Sequence, residues 1–266
     1  MALIKTTIDG REVQVERDRW AIDVAREMGI DIPTLCHHPA LEPYGACRLC
    51  VVEVTKGKWT WLTTSCDLPI REGLNIRTDT PAVIAARKMA IELLWAQAPD
   101  AVEVQALAKQ LGMEKPRFAA RAEAGKCILC GLCVRVCKAV LGQPAVGFSR
   151  RGVERDIGAP FDKPSDTCIG CGACVAVCPT GHITSVEDGP LWRLNTSKTE
   201  AELELAKCPE CGRRFAPVKQ IEFIRKTLSD KPERAVLDQI CPACRKARTA
   251  AGLSESSRER RICLEK

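Results

Sequence analysis

Aromatic residues are scarce in this chain. They make up 4% of its 266 residues, with one Tyr and five Phe. That is less core-building material than a chain of this length usually carries. The scarcity argues against one large core. It favours two or three small domains in which metal centres replace part of the apolar interior. Long apolar runs are missing too: Arg87 and Lys88 split the best one, so no segment is expected to span a membrane. The opening Met1-Ala-Leu-Ile-Lys-Thr-Thr-Ile has no charged region followed by an apolar one and no twin-arginine pair. No secretory signal is therefore expected, and a cytoplasmic location is. No G-x-G-x-x-G opens a helix after a strand and no G-x-x-x-x-G-K-[ST] occurs, which predicts no nucleotide site. No C-x3-C-x2-C triad and no Ser-His-Asp or Cys-His arrangement stands out, so no catalytic residue is predicted.

Cysteine, by contrast, is abundant. Seventeen are present, and sixteen fall into four sets of four. A secreted disulfide scaffold would be shorter and would carry a leader, so metal ligation in a reducing compartment is the better reading. The formal charge of +6 suggests nucleic acid until the metals are counted. A cluster or a zinc held by four thiolates carries about −2. Three clusters and a zinc reverse the balance, and no nucleic-acid partner is expected.

The first set is Cys36, Cys47, Cys50 and Cys66, spaced C-x10-C-x2-C-x15-C. A C-x2-C within a loop plus a distant fourth cysteine is the pattern of plant-type [2Fe–2S] sites, although the first gap here is longer. Zinc is the rival, but zinc sites favour two short knuckles. The flanks predict a hairpin over Ile4–Ile8 and Val13–Val15 around Asp9-Gly10, a helix over 19–28, and strands near 50–55 and 60–64. A small sheet crossed by one helix, then a cluster loop, is a β-grasp layout. His37 and His38, beside the first ligand, are read as solvated.

The second and third sets are Cys127, Cys130, Cys133, Cys137 and Cys168, Cys171, Cys174, Cys178. Each is C-x2-C-x2-C-x3-C, and Pro179 follows the second run whereas Lys138 follows the first. In two-cluster bacterial ferredoxins the fourth cysteine of each run ligates the other cluster. The predicted [4Fe–4S] ligand sets are thus Cys127, Cys130, Cys133, Cys178 and Cys168, Cys171, Cys174, Cys137. Gly131, Gly170 and Gly172 sit between ligands, where the backbone must curl. His182 is read as the start of a strand.

The fourth set, Cys208, Cys211, Cys241 and Cys244, forms two C-x2-C knuckles 29 residues apart. It predicts a structural zinc, with rubredoxin-like iron as the alternative. Cys263 is read as a free thiol on a loose tail.

Between these sets, Thr80-Pro81 predicts the N-cap and first residue of a helix over 81–97, and a second helix follows over 102–111. Val83, Ile84, Met89, Ile91, Leu93, Leu94 and Trp95 are read as core-facing. Val146-Gly-Phe148 and Val153-Glu-Arg suggest a strand pair. A strand over Leu191–Leu194, a polar stretch, and helices near 217–228 and 243–251 complete the chain. The expected architecture is α+β. It comprises a β-grasp [2Fe–2S] domain (1–80), a helical linker (81–120), a two-cluster ferredoxin-like domain (121–190), a zinc-ribbon-like module (200–253) and a polar tail (254–266).

Three stretches carry a resemblance: Ile32-Pro-Thr-Leu-Cys36-His-His-Pro, Gly45-Ala-Cys47-Arg-Leu-Cys50-Val-Val-Glu and Cys127-Ile-Leu-Cys130-Gly-Leu-Cys133-Val-Arg-Val-Cys137. Phe148-Ser-Arg-Arg-Gly-Val-Glu-Arg adds to it. Over about residues 1–190 the chain resembles the N-terminal part of the large iron–sulfur subunit of respiratory complex I. It is also similar to the iron–sulfur (diaphorase) subunits of NAD-linked hydrogenases and formate dehydrogenases. The resemblance implies the same twelve cluster ligands and single-electron relay. It also implies partners on both sides: a flavin- or NAD(H)-binding subunit, and a hydrogenase, formate dehydrogenase or heterodisulfide-reductase-like subunit. Many such relatives hold a further cluster with one His and three Cys; no His or Cys lies between Cys66 and Cys127 here, so that cluster is expected to be missing. A freely diffusing ferredoxin and an iron–sulfur regulator that binds nucleic acid are the competing readings.

Overall fold

The computed structural model describes residues 3–121, 125–196, 198–228 and 240–251. Strands β1 (Leu3–Ile8) and β2 (Arg11–Glu16) form the expected hairpin. Asp9 and Gly10 turn it with φ of 48° and 78°, the left-handed pair that a tight two-residue hairpin requires. Helix α1 (Ala21–Glu27) crosses the sheet, which β3 (Val51–Lys56), β4 (Trp59–Thr64) and β5 (Asn75–Arg77) complete. The order is β2-β1-β5-β3-β4, with β1 and β5 parallel. Alternate residues Ile4, Ile8, Val52 and Val54 point inward and meet Ile22 and Val24 of α1, as period-2 strands under one helix must. This is the β-grasp layout.

Helices α2 (Pro81–Gln97) and α3 (Val102–Gln110) follow. Thr80 Oγ1 accepts the Val83 N–H at 3.3 Å, which caps α2 as expected. Arg87 turns inward and donates to the Val51 carbonyl at 2.8 Å, pinning α2 to β3. The apolar stripe of α2 is narrower than its sequence suggests. Val83 and Ile91 are buried, but Ile84, Met89 and Leu93 are exposed, because α2 meets β3 and α3 along one side only.

The two helices do more than link. Ile91, Ala98, Ala101, Val104 and Ala108 share one core with Cys36, Cys47 and Leu49 of the first cysteine loop. Ile128, Cys130, Leu132 and Val136 of the first C-x2-C-x2-C-x3-C run belong to the same core. That run and its successor each contain one turn of helix, α4 (Leu132–Arg135) and α5 (Ala173–Ala176). α4 continues as a π-turn over Val136–Val140. Strands β6 (Gly147–Ser149) and β7 (Asp156–Gly158) pair between the runs. The partner strand expected at Val153-Glu-Arg therefore lies three residues later. Gly152–Glu154 forms a 3-10 turn with Val153 exposed, and it is Ile157 that is buried.

Strands β8 (Thr184–Asp188), β9 (Leu191–Asn195), β10 (Glu200–Lys207) and β11 (Arg214–Pro217) form an antiparallel sheet in chain order. Read from sequence as a polar stretch, β10 buries Leu203 and Leu205 and leaves Glu200, Glu202 and Glu204 outside. The sheet runs without a break from the second cysteine run into the fourth set. Helices α6 (Val218–Thr227) and α7 (242–251) close the described fold near their expected positions. Cys263 and the 254–266 tail lie outside the described residues. Among the described residues no helix is long and apolar enough to cross a membrane.

Candidate metal centres

The first set converges at the edge of the β-grasp sheet. β4 feeds a 3-10 turn that carries Cys66, and Ser65 donates its N–H to the Cys50 carbonyl at 2.9 Å. Cys36, Cys47, Cys50 and Cys66 are all buried. Backbone donors turn toward the sulfurs: Cys47 N–H to Cys36 Sγ at 3.4 Å and Leu35 N–H to Cys47 Sγ at 3.5 Å. Hydrogen bonds from Cys47 and then Cys66 hold the Cys36 thiol far below its ordinary range; the same contacts push Cys47 and Cys66 up. Four touching, buried sulfurs cannot all ionise unless a cation lies among them. The donor set, its burial and the inward N–H groups fit an iron–sulfur cluster. His37, expected in solvent, is instead buried: its side chain is 3% exposed and its Nε2 is 3.3 Å from Asp23 Oδ1 on α1. The loop packs down on α1 because Cys36 must reach the core. His38 is half-buried, and its Nδ1 accepts the Ala40 N–H at 3.2 Å.

The second and third sets line two tight cavities of about 20 Å³ each. Cys127, Cys130, Cys133 and Cys178 line one, with Ile157, Thr180 and His182. Cys137, Cys168, Cys171 and Cys174 line the other, with Ile169, Val146 and Leu194. Each cavity thus draws three cysteines from one run and the last cysteine of the other. Apolar walls disfavour thiolates: burial pushes Cys127 up to about 12, Cys130 to about 11 and Cys174 to about 12. An anionic sulfur there needs the positive charge of bound metal. His182, read from sequence as a strand start, lies just before β8 and lines the cavity of Cys127. Burial lowers its pKa.

The fourth set is the tightest. The four Sγ atoms of Cys208, Cys211, Cys241 and Cys244 lie within 4.8 Å of one another, and Cys211 and Cys241 are 3.6 Å apart. A tetrahedral zinc with bonds of about 2.3 Å sets its sulfurs about 3.8 Å apart. Two knuckle N–H groups point at sulfur, Cys241 to Cys208 at 3.4 Å and Cys244 to Cys241 at 3.5 Å. The first of these is the main pull that lowers the Cys208 thiol to about 6. Such geometry fits a single ion rather than a cluster.

Comparison with known proteins finds iron–sulfur domains over the first three cysteine sets. Residues 2–81 match a 2Fe-2S iron-sulfur cluster binding domain, and residues 126–182 and 167–213 match 4Fe-4S dicluster domains. The chain is 27% identical to the mitochondrial NADH-ubiquinone oxidoreductase 78 kDa subunit of Candida albicans, over 61% of this chain and 26% of that protein. It is 30% identical to the NADPH-Fe(3+) oxidoreductase subunit alpha of Geobacter sulfurreducens, over 56% of this chain and 20% of that protein. A crystal structure of an NAD+-reducing [NiFe]-hydrogenase superposes with a TM-score of 0.50 at 29% identity, covering 59% of this chain and 75% of that one. The chain spans about a quarter of the length of the curated relatives it matches. It is an iron–sulfur protein, a relative of the 78 kDa subunits of NADH–ubiquinone oxidoreductases and of a chain of an NAD+-reducing hydrogenase.

Proposed function

We propose that this chain is the electron-transfer subunit of a multisubunit oxidoreductase. It would connect a flavin- or NAD(H)-handling subunit to a second redox subunit of the hydrogenase, formate dehydrogenase or heterodisulfide-reductase type. In this reading Cys36, Cys47, Cys50 and Cys66 hold a [2Fe–2S] cluster. Cys127, Cys130, Cys133 and Cys178 hold one [4Fe–4S] cluster, and Cys168, Cys171, Cys174 and Cys137 the other. Cys208, Cys211, Cys241 and Cys244 hold a structural zinc, and the substrate chemistry belongs to the partner subunits. The clusters supply one-electron exchange when bound. The protein's part is to bury the sulfurs, exclude water and fix the sites relative to one another.

One observation carries the reading. Cys36 and Cys47 of the first site share an apolar core with Cys130 of the second, and α4 and α5 bring the second against the third. An isolated storage site would not need its ligand loops packed in series. The experiment is anaerobic iron, sulfide and zinc analysis with EPR. About ten irons and one zinc per chain are expected; about six irons would remove one [4Fe–4S] site from the scheme. Cys137→Ser is expected to damage the centre otherwise held by Cys168, Cys171 and Cys174. Loss at the Cys127 centre instead would undo the crossed assignment.

A further inference from the structure

Arg135 lies between Cys133 and Cys137, at the end of α4. Its N–H donates to the Gly131 carbonyl at 3.0 Å, an ordinary helical bond. Its side chain leaves this region altogether. One guanidinium nitrogen donates to the carbonyl of Cys36 at 3.0 Å, and another donates to the carbonyl of Glu42. The guanidinium carbon stands 5.2 Å from the centre of the Tyr44 ring. Tyr44 in turn lies over the first run: a Cβ on Gly131 would come within 3.4 Å of its ring. One side chain from a [4Fe–4S] loop thus grips the loop that carries the first two cysteines of the [2Fe–2S] site.

Arginine suits this task for two reasons. Its planar fork can reach two carbonyls at once, and its charge persists at any physiological pH. Here the charge meets carbonyl dipoles and a ring face, and Nε is buried with no hydrogen-bond partner among the described residues. The side chain is half-buried, so its charge is screened less at the neighbouring sites than it would be in open water.

We propose that Arg135 is the positioning residue that couples the first two redox sites. It fixes the Cys36–Cys47 loop against the Cys130–Cys133 loop and sets positive charge between them. This inference rests on the reading that both loops hold clusters. Its two halves separate by substitution: Arg135→Lys keeps the charge and loses the fork, whereas Arg135→Gln keeps planar donors and loses the charge.

The test uses the full chain, purified anaerobically, with three measurements. Dithionite titration followed by EPR gives the midpoint potentials. The spectrum of the fully reduced protein gives the magnetic interaction between neighbouring centres. Amide hydrogen exchange gives the mobility of residues 36–47. Arg135→Gln is expected to retain wild-type iron and to lower the potentials of the two centres, since adding an electron there loses a favourable charge. Arg135→Lys is expected to keep the potentials, weaken the magnetic interaction and speed exchange across 36–47 several-fold. Wild-type potentials in Arg135→Gln, or wild-type interaction and exchange in Arg135→Lys, overturn the proposal. If Arg135→Gln loses iron, Arg135→Lys decides alone; iron loss there too makes Arg135 a scaffold for assembly and overturns the coupling role. A wild-type chain with no reducible centres defeats the functional reading instead, and exchange across 36–47 still decides whether Arg135 positions the loop.

Discussion

The two C-x2-C-x2-C-x3-C runs have the same cysteine spacing and different surroundings. The first run is backed by the β-grasp side of the molecule. Tyr44 and Phe148 close on Gly131, where a Cβ would lie 3.0 Å from the Phe148 ring. The second run is backed by the C-terminal sheet. A Cβ on Gly170 would lie 2.7 Å from Pro217 on β11 and 2.9 Å from Leu203 on β10. The residues between the ligands follow this difference. Leu129 occupies the position that Gly170 takes in the second run, and it adopts φ of 53° against 75° for the glycine. The shared curl is set by the sulfurs, since Leu129 N–H reaches Cys127 Sγ at 3.4 Å. The glycine is set by the neighbour. A leucine can bear the left-handed backbone at a cost of about 1–2 kcal/mol, but nothing larger than hydrogen fits beneath Pro217. The run ends differ as well. Pro179 forbids a further helical turn after α5, whereas Lys138 lets α4 run on into its π-turn, which carries Cys137 toward the Gln143 carbonyl. Ligand spacing reports the chemistry; the residues between ligands report what each loop leans on.

The hardest test of that contrast is Cys208→Ser. Structural zinc sites supply on the order of 10 kcal/mol of folding free energy, so losing a ligand is expected to unfold the C-terminal module. If that module supports only the second run, the centre of Cys168, Cys171 and Cys174 should become several-fold more labile to oxygen, and the centre of Cys127, Cys130 and Cys133 should not. Equal lability of both, followed by EPR, would mean that the module steadies the whole chain. Gly170→Val is the next step down. Overpacking costs about 1–3 kcal/mol, and the left-handed backbone adds about 1–2 kcal/mol for a side chain. Denaturant unfolding of the holo-protein should show a loss of that order, confined to the same centre. Leu129→Gly should have the smallest effect. Relief of backbone strain is offset by the packing that Leu129 contributes to the core of Ile157, Ile183 and Leu194, so the net change should stay within about 1 kcal/mol. A clear stabilisation would mean that Leu129 is tolerated there rather than used.

Much of this was legible in the sequence because cysteine spacing survives any packing. The four sets, the capped helix at Thr80-Pro81, the Asp9-Gly10 hairpin and the β-grasp order all stand where pattern places them. What escaped depended on residues distant in the chain. His37 looks like a solvated neighbour of a ligand until α1 covers it. Glu200–Lys207 looks polar because Glu200, Glu202, Glu204 and Lys207 are charged, although the alternation of the glutamates, with Leu203 and Leu205 inside, is itself a strand signal. The shift of the Val153 strand to Asp156–Gly158 follows from which residues find a core. Arg135 carries no local signal at all, since its partners are the carbonyls of Cys36 and Glu42.

Because each of the two cysteine-lined cavities draws on both runs, neither exists while the chain is only partly made. About 40 residues separate Cys137 from Cys178. At roughly 5–20 residues per second of synthesis, the first run emerges some 2–8 s before its partner. During that interval its four thiols belong to no finished site and lie open to oxidation or to a stray metal. The crossed arrangement thus couples maturation to timing: iron delivered early would meet half-sites, whereas iron delivered after the second run would meet both cavities at once.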